Sequence, residues 1–217
     1  MILVLASNSP RRKHLVGLTG WNFRVKPADV DEEFYPEEAP PDYVLRLAES
    51  KARAVGAQVD GDAVVLAADT TVVDGNKILG KPVDDGDAER MLRRLRGRTH
   101  QVYTALAVYR VEDGRILTDL CLTDVPMRDY SDNEMMAYIG SGDPLDKAGA
   151  YAIQHRGFHP AEKLVGCYAN VMGLPLCHLT RTLEKLGIGS KTDIPMMCQN
   201  DLDYRCSIYD RILRAQL

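Results

Sequence analysis

The sequence predicts an α/β fold built on a mixed β-sheet with helices on its flanks. Short apolar segments typical of strands alternate with segments whose apolar residues recur at helical spacing. The turn dipeptide Asp74-Gly75 follows one predicted strand, and Asp113-Gly114 joins two others; both dipeptides are typical of antiparallel hairpins. Hairpins within such an alternation favour a sheet with parallel and antiparallel pairs over a purely parallel one.

The N-terminal part of the chain contains predicted strands that are short and apolar. They cover residues 2–6, 22–25 and 63–73. A helix is predicted over residues 10–18, where Pro10 occupies the first helical position, and a second over residues 43–56, which carry an apolar stripe. Residues 26–41 are rich in Pro, Asp and Glu and predict a loop.

The same alternation continues to the C-terminus. Strands are predicted over residues 101–109, 116–125 and 164–171, and helices over residues 88–95, 133–139 and 176–186. Residues 146–154 place small residues before a strand-like segment that ends in Gln154. After Gly187 we expect an extension that is packed on the domain or partly disordered, with a short amphipathic helix in residues 207–213.

Composition excludes several classes of protein. A length of 217 residues suits one large domain or two small ones, and a net charge of −4 disfavours general nucleic-acid binding. No secretory signal or membrane-spanning run is apparent, so a membrane partner is not expected. The 5 cysteines form no C-x-x-C pair, which favours reduced thiols in a cytoplasmic protein. His155 and His159 flank Gly157, which argues against a helical zinc pair.

The first motif is LASNSPRR, where a strand passes into a helix. Ser9 can cap a helix that starts at Pro10, and the free N–H groups at such an end attract an anion. Arg11 and Arg12 add guanidinium groups, which match phosphate oxygens. A phosphate site and a capped surface helix with solvated arginines are both compatible with this motif.

The second motif is the apolar strand VVLAADTTVV, which Asp69 and two threonines interrupt. A buried carboxylate needs a partner, so Asp69 is either a base or metal ligand or a brace for a neighbouring loop. Lys81 in G-K-P and the acidic run around Glu32 are weak signals by themselves. Gln154 is either a satisfied edge residue or a residue that reads a nucleobase.

Together the motifs resemble those of one family. Seven of them occur in order: S-x-S-P-R-R at 7–12, D-E at 31–32, E-S-K-A at 49–52, A-D-T-x-V at 68–72, G-K-P at 80–82, D-K-A-G-A-Y-A-I-Q at 146–154 and N-x-x-G-L-P-L at 170–176. Over about residues 2–187 the chain closely resembles the Maf-type nucleoside triphosphate pyrophosphatases. We therefore expect a Maf-like domain over residues 1–187 and a C-terminal extension of unknown role over residues 188–217.

The resemblance implies a mixed α/β fold like that of inosine triphosphate pyrophosphatases, with two lobes around a cleft. It implies hydrolysis of a nucleoside triphosphate to the monophosphate and pyrophosphate with a divalent cation, Mg²⁺ or Mn²⁺. A cytoplasmic homodimer is also implied, and the family carries an older association with septum formation.

The resemblance also implies a role for individual residues. Asp69 would act as the general base or align the attacking water, and Glu32 and Asp69 would hold the metal. The phosphates would be bound by Ser7, Arg11, Lys51 and Lys81.

Three further positions imply a substrate. Arg12, Thr70 and Gln154 resemble the branch of the family that prefers dTTP and UTP. An arginine only donates, so Arg12 suits the carbonyl at position 4 of uracil or thymine and opposes the amino group of cytosine. Gln154 could accept from the N3–H of those bases. The alternatives are a pyrophosphatase for 7-methyl-GTP or other modified nucleotides, and a nucleotide-binding regulator.

Overall fold

A six-stranded mixed sheet organises residues 1–214, the part of the chain that the computed structural model describes. The strands are β1 (Ile2–Leu5), β2 (Phe23–Val25), β3 (Ala63–Asp74), β4 (Lys77–Leu79), β5 (Thr99–Arg110) and β6 (Ile116–Pro126). Their order is β2-β1-β3-β5-β6, and β4 pairs with β3 outside this path. β1 runs parallel to β2 and β3, whereas the remaining pairs are antiparallel. The predicted mixed α/β class is confirmed.

One edge of β3 changes partner along its length. β1 pairs with residues 63–66 of β3, and β4 pairs with residues 72–74 on the same edge. Between them, residues 67–71 have no strand partner on this edge within the described part of the chain. We call this interruption the β3 gap. On the other edge, residues 64–73 pair with β5 without interruption, so the backbone at the gap is held firmly from one side.

Helices cover both faces of the sheet. They are α1 (Pro10–Gly17), α2 (Pro40–Gly56), α3 (Asp85–Leu95), α4 (Asp132–Ile139), α5 (Tyr168–Val171), α6 (Leu176–Glu184), α7 (Ile194–Leu202) and α8 (Tyr209–Leu213). On one face α2 packs its apolar stripe against Val65 and Ala67 of β3. The larger core on the other face contains Leu66 and Ala68 of β3 with residues of α1, α3 and α6. Successive residues of β3 therefore belong to different cores, as strand geometry requires.

Two segments predicted as strands are not strands. Residues 164–167 are irregular and lead into the short helix α5, because Gly166 has a φ of 143° that an extended strand does not adopt. The segment before Gln154 contains two 3₁₀ turns, Asp143–Asp146 and Ala148–Ala150, and residues 151–154 follow without strand pairing. Its turn residues Gly149 and Ala150 both have positive φ. The predicted hairpins at Asp74-Gly75 and Asp113-Gly114 are confirmed.

The extension is packed on the rest of the molecule over residues 188–214. Ile194 and Ile212 are 2% and 0% exposed, and α8 provides the short helix expected near the C-terminus. The Tyr204 hydroxyl donates to Leu164 O at 3.1 Å and lies 3.0 Å from Gly166 O, and Asp201 pairs with His14 of α1 at 2.7 Å. The extension thus contacts α1 and the segment that leads into α5, and both of these adjoin the cleft described below.

All 5 cysteines are free thiols, in agreement with the absence of a C-x-x-C pattern. Within residues 1–214, no helix is both long and apolar enough to cross a membrane.

Candidate active site

A cleft with a volume of about 630 Å³ opens at the β3 gap. Its walls come from the segment after β1, the loop before α2, β3 itself, the residues after β4, and the segments that follow the 3₁₀ turns and α5. Every site residue predicted from the sequence lines it: Ser7, Arg11, Arg12, Glu32, Lys51, Asp69, Thr70, Lys81 and Gln154. These residues are spread over most of the chain, and the fold brings them together.

On the α2 side of the gap, two carboxylates share one lysine. Lys51 Nζ lies 2.6 Å from Asp69 Oδ1 and 2.6 Å from Glu32 Oε1. Asp69 is 7% exposed and Lys51 is 8% exposed. Desolvation by burial raises the pKa of Asp69, and the positive charges of Lys51 and Arg12 offset only part of this effect. Asp69 is therefore more basic than an ordinary aspartate, and it is held in one place by its ion pair.

Glu32 reaches this pair from an exposed loop that α2 holds in place. Tyr43 donates its hydroxyl to Glu32 O at 3.1 Å. Arg46 forms two bonds to Glu38, at 2.6 and 2.7 Å, and its guanidinium stacks 4.0 Å from the centroid of Tyr35. Partial burial acts to raise the pKa of Glu32, but the hydrogen bond and charge of Lys51 and the nearby Lys81 lower it overall. Glu32 thus stays ionised beside Asp69.

On the opposite face of β3, Arg12 is held by three acceptors. Its Nε donates to Gly173 O at 2.8 Å, its Nη2 to Thr70 Oγ1 at 3.0 Å and its Nη1 to Ser7 Oγ at 3.4 Å. Burial lowers the pKa of Arg12, although a guanidinium remains protonated. Gly173 has a φ of 103°, and a Cβ there would lie 3.2 Å from Thr70 Oγ1. Glycine is therefore required for this close approach.

The N-terminus of α1 opens into the same cleft. Pro10 is at the first helical turn and the Ser9 side chain accepts from Arg12 N at 3.4 Å, so the predicted cap is confirmed. The cleft is lined by residues 6–12, which places the free N–H groups of this helix beside Arg11. Lys81 is exposed and lies just after β4 at the cleft wall. A helix end and several cations therefore face one polar space.

Gln154 sits in a braced turn and not at the end of a strand. Lys147 is 7% exposed, and its Nζ bonds to Asp143 O at 2.5 Å and to Asp146 Oδ1 at 2.5 Å. Tyr138 accepts from Ala152 N at 3.0 Å, two residues before Gln154. These bonds fix the backbone that carries Gln154 to the cleft.

Sequence reasoning missed several residues that build the site. Tyr43 lines the cleft but was placed only in the apolar stripe of α2, where its hydroxyl gives no signal. Thr104 and Asn170 lie beneath Thr70 and are 0% exposed. A signal existed for both residues, although no role was predicted from it: Thr104 is a polar residue within an apolar strand, as Asp69 is, and Asn170 begins the N-x-x-G-L-P-L motif.

Two carboxylates of the cleft lie close enough together to share a divalent cation. Within residues 1–214, no group of three or more His, Cys, Asp or Glu side chains is arranged to hold a metal. Glu32 and Asp69, which share Lys51, nevertheless provide two carboxylates at one point of the cleft. Mg²⁺ commonly takes one or two protein carboxylates and completes its shell with substrate phosphates and water. The residues present fit that mode.

Comparisons with known proteins agree on one family. The model of the family described as Maf-like protein matches residues 2–186. The dTTP/UTP pyrophosphatase of Citrifermentans bemidjiense is 46% identical over 185 residues, which are 85% of this chain and 95% of that protein. The dTTP/UTP pyrophosphatase of Hahella chejuensis is 48% identical over 188 residues, which are 86% of this chain and 92% of that protein.

Among solved structures, the Ham1 protein of Staphylococcus aureus covers 72% of this chain and 90% of its own, with 15% identity and a TM-score of 0.41.

Proposed function

Because the chain belongs to the Maf-like protein family, we propose that it hydrolyses dTTP and UTP to the monophosphate and pyrophosphate. One observation carries this proposal: a buried Asp69 paired with Lys51 at 2.6 Å, in a cleft that a helix N-terminus and further cations surround. The relatives described above are named dTTP/UTP pyrophosphatases, and this chain matches them over nearly their whole length. That similarity supports the same reaction here.

Asp69 is proposed as the general base, or as the group that aligns the attacking water. A carboxylate is a weak base, and burial raises the pKa of Asp69 towards the working pH, where a base is most effective. Lys51 keeps Asp69 in one orientation, and β5 holds the strand that carries it. The proton would pass from water to a carboxylate oxygen of Asp69 as the bond to the α-phosphorus forms.

The triphosphate is proposed to bind along the cation-lined wall. Arg11, Lys51 and Lys81, with Ser7 and the N–H groups at the start of α1, would bind phosphate oxygens. Their charge would stabilise the leaving pyrophosphate, since phosphate chemistry depends mainly on positioning and charge. Glu32 and Asp69 are the residues proposed to hold Mg²⁺ or Mn²⁺. The bound cation would supply charge neutralisation on the phosphates.

The nucleobase is proposed to bind near Arg12, Thr70 and Gln154, which line the same cleft. Uracil and thymine present a carbonyl at position 4 and an N–H at position 3, whereas cytosine presents an amino group and a bare nitrogen there. Arg12 can donate to that carbonyl but not to the amino group. Gln154 can accept from the N–H.

We also propose that the catalytic unit spans residues 1–187, that residues 188–217 form an extension to it, and that the enzyme is a cytoplasmic homodimer. The free cysteines are consistent with a reducing compartment.

The proposal is tested by measuring pyrophosphate release from dTTP, UTP, CTP, GTP and 7-methyl-GTP, with Mg²⁺ and with Mn²⁺. We expect dTTP and UTP to lead. Asp69→Asn should lower kcat by roughly 10²-fold or more, the typical contribution of a positioned base, and should keep the fold.

Each other outcome overturns a stated part of the proposal. A lead by 7-methyl-GTP would refute the roles given to Arg12, Thr70 and Gln154 in base choice. Near-normal hydrolysis by Asp69→Asn would remove Asp69 as the base. Binding of UTP without turnover, under either metal, would refute the enzymatic proposal as a whole.

A further inference from the structure

Beneath Thr70 lies a chain of buried hydroxyl groups that leads away from the cleft. Thr70 Oγ1 is 2.9 Å from Thr104 Oγ1, and Thr104 Oγ1 donates to Asn170 O at 3.0 Å. Thr104 and Asn170 are both 0% exposed, and neither lines the cleft. Thr104 therefore acts on a bound nucleotide through Thr70, which in turn bonds to Arg12.

Counting hydrogens fixes the direction of every bond in this chain. A threonine hydroxyl has one hydrogen, and a carbonyl oxygen can only accept. The hydrogen of Thr104 is used on Asn170 O, so Thr70 must donate in its bond with Thr104. The hydroxyl hydrogen of Thr70 thus points into the core. Its oxygen presents only lone pairs to the cleft, where Arg12 Nη2 donates to it at 3.0 Å.

The far end of the chain is anchored by the sheet. Asn170 Nδ2 donates to Val102 O of β5 at 3.0 Å and to Thr123 Oγ1 of β6 at 2.9 Å. The Thr123 hydroxyl in turn donates to Cys167 O at 3.3 Å, so its lone pairs are the ones that face Asn170. Asn170 O is therefore held in place from two strands, and the acceptor that Thr104 needs cannot move away.

We propose that Thr104 is a positioning residue for nucleobase discrimination, because it forces the Thr70 hydroxyl to act as an acceptor. This keeps Arg12 in one orientation. It also means that, when position 4 of the base faces Arg12, the atom at position 3 has to bring a donor to Thr70. Uracil and thymine have an N3–H there, which Thr70 and Gln154 would share, whereas cytosine has a bare nitrogen and its amino group is opposed by Arg12. The inference rests on the proposed function and adds to it a residue that never touches the substrate.

The test is Thr104→Val, which keeps the shape of the side chain and removes the hydroxyl. Thr70 then loses its acceptor in the core, and its hydrogen is free to turn towards the cleft. We expect the ratio of kcat/KM for UTP to that for CTP to fall about five- to tenfold, the effect of one net hydrogen bond. The change should lie in KM, with kcat for UTP within about twofold, because Asp69 and Lys51 are on the other face of β3. Thr104→Ser should restore the ratio.

A matched control is Thr180→Val on α6, which removes another buried hydroxyl, one that bonds to Leu176 O at 2.9 Å. Thermal unfolding is measured for all three variants. If Thr104→Val and Thr180→Val lose similar stability and both keep the wild-type UTP/CTP ratio, Thr104 is only structural and the proposal is wrong. A fall in kcat without a change in the ratio also overturns it. Should Thr104→Val not fold, Thr104→Ala removes the same hydroxyl and leaves space.

Equilibrium binding of UTP and CTP to the Asp69→Asn protein, with and without Thr104→Val, separates this inference from the proposed function. A wild-type protein that hydrolyses neither nucleotide would refute the function. The binding ratio would still decide the role of Thr104, because an unchanged ratio contradicts it and a reduced ratio supports it.

Discussion

Asp69 differs from the exposed carboxylates of this chain in what surrounds its two oxygens. It lies in a long strand, 7% exposed, with the ammonium of Lys51 at 2.6 Å. Desolvation raises its pKa, while Lys51 and Arg12 act in the opposite direction. An enclosed carboxylate with one fixed cation is suited to take a proton at a defined position, which a solvated aspartate is not.

The raised pKa of Asp69 predicts where activity is lost in acid. The base works only when ionised, so kcat/KM for UTP should fall as the pH drops through the pKa of Asp69, and that midpoint should lie above the ordinary aspartate value of about 3.9. Lys51→Met should move the acidic limb to higher pH, since the charge of Lys51 lowers this pKa. Initial rates between about pH 4 and pH 9 measure both. A limb at the ordinary aspartate value in both proteins would contradict the assignment.

At the scale of elements, the sequence predicted the strand that carries the site but not its partners. The period of two in a strand already places Asp69 and Thr70 on opposite faces. Thr104 was also recognisable as a polar residue in an apolar strand. Its position opposite Thr70 was not, because register between β3 and β5 depends on pairing over many residues.

Two segments predicted as strands are turns in the structure, because residues within or beside them have positive φ. Residues 164–171 are apolar enough for a strand, but Gly166 and Gly173 have positive φ and the chain turns to pack beneath β5 and β6. In the segment before Gln154, Gly149 has a positive φ, and a Cβ there would lie only 2.9 Å from the side chain of Val72. The chain therefore turns at this glycine and does not extend as a strand. Hydrophobic patterns report burial, and a buried turn resembles a buried strand in that respect.

The helices of the extension should behave as part of the folded unit. Ile212 of α8 is 0% exposed, so Ile212→Ala should cost about 2–5 kcal/mol in the free energy of unfolding, as for other core truncations. Met196→Ala on α7, where the side chain is 51% exposed, should cost less than about 1 kcal/mol. Denaturant unfolding of both variants provides the measurement. Equal, small losses would mean that the extension is not integrated with the core.

For the whole molecule, net charge and local charge have different signs. The chain carries −4, yet Arg11, Arg12, Lys51 and Lys81 all line one cleft. Composition argued against a broad nucleic-acid surface, but it could not show where the cations lie, because their convergence depends on tertiary structure. The family resemblance supplied that information, because it identified residues far apart in sequence as members of one site.

Two buried histidines predict how stability depends on pH. Burial lowers the pKa of His100 to about 4 and that of His178 to about 4, against about 6.5 in an unfolded chain. Between these values the unfolded chain binds protons that the folded protein excludes. The contribution of the two histidines to the free energy of unfolding should therefore be fully present above about pH 6.5. It should decrease as the pH falls towards about 4, by roughly 3 kcal/mol at most for each histidine.

Unfolding free energies across this range measure the slope, and His100→Gln with His178→Gln should flatten it. The control is His159→Asn. Asparagine tolerates the positive φ at this position, and because His159 is exposed, its replacement should leave the slope unchanged. A slope that persists in the double variant would show that other groups cause the loss.

The placement of Asp69 and Thr70 on opposite faces of one strand has an evolutionary consequence. With the roles proposed above, hydrolysis and base choice would lie in separate layers of the protein, each with its own core and its own supporting side chains. Substitutions on the Thr70 side can therefore change which nucleotide is accepted while the machinery around Asp69 is inherited intact. A lineage built on this strand can move between substrates by small steps, because no intermediate has to give up its chemistry to alter its preference.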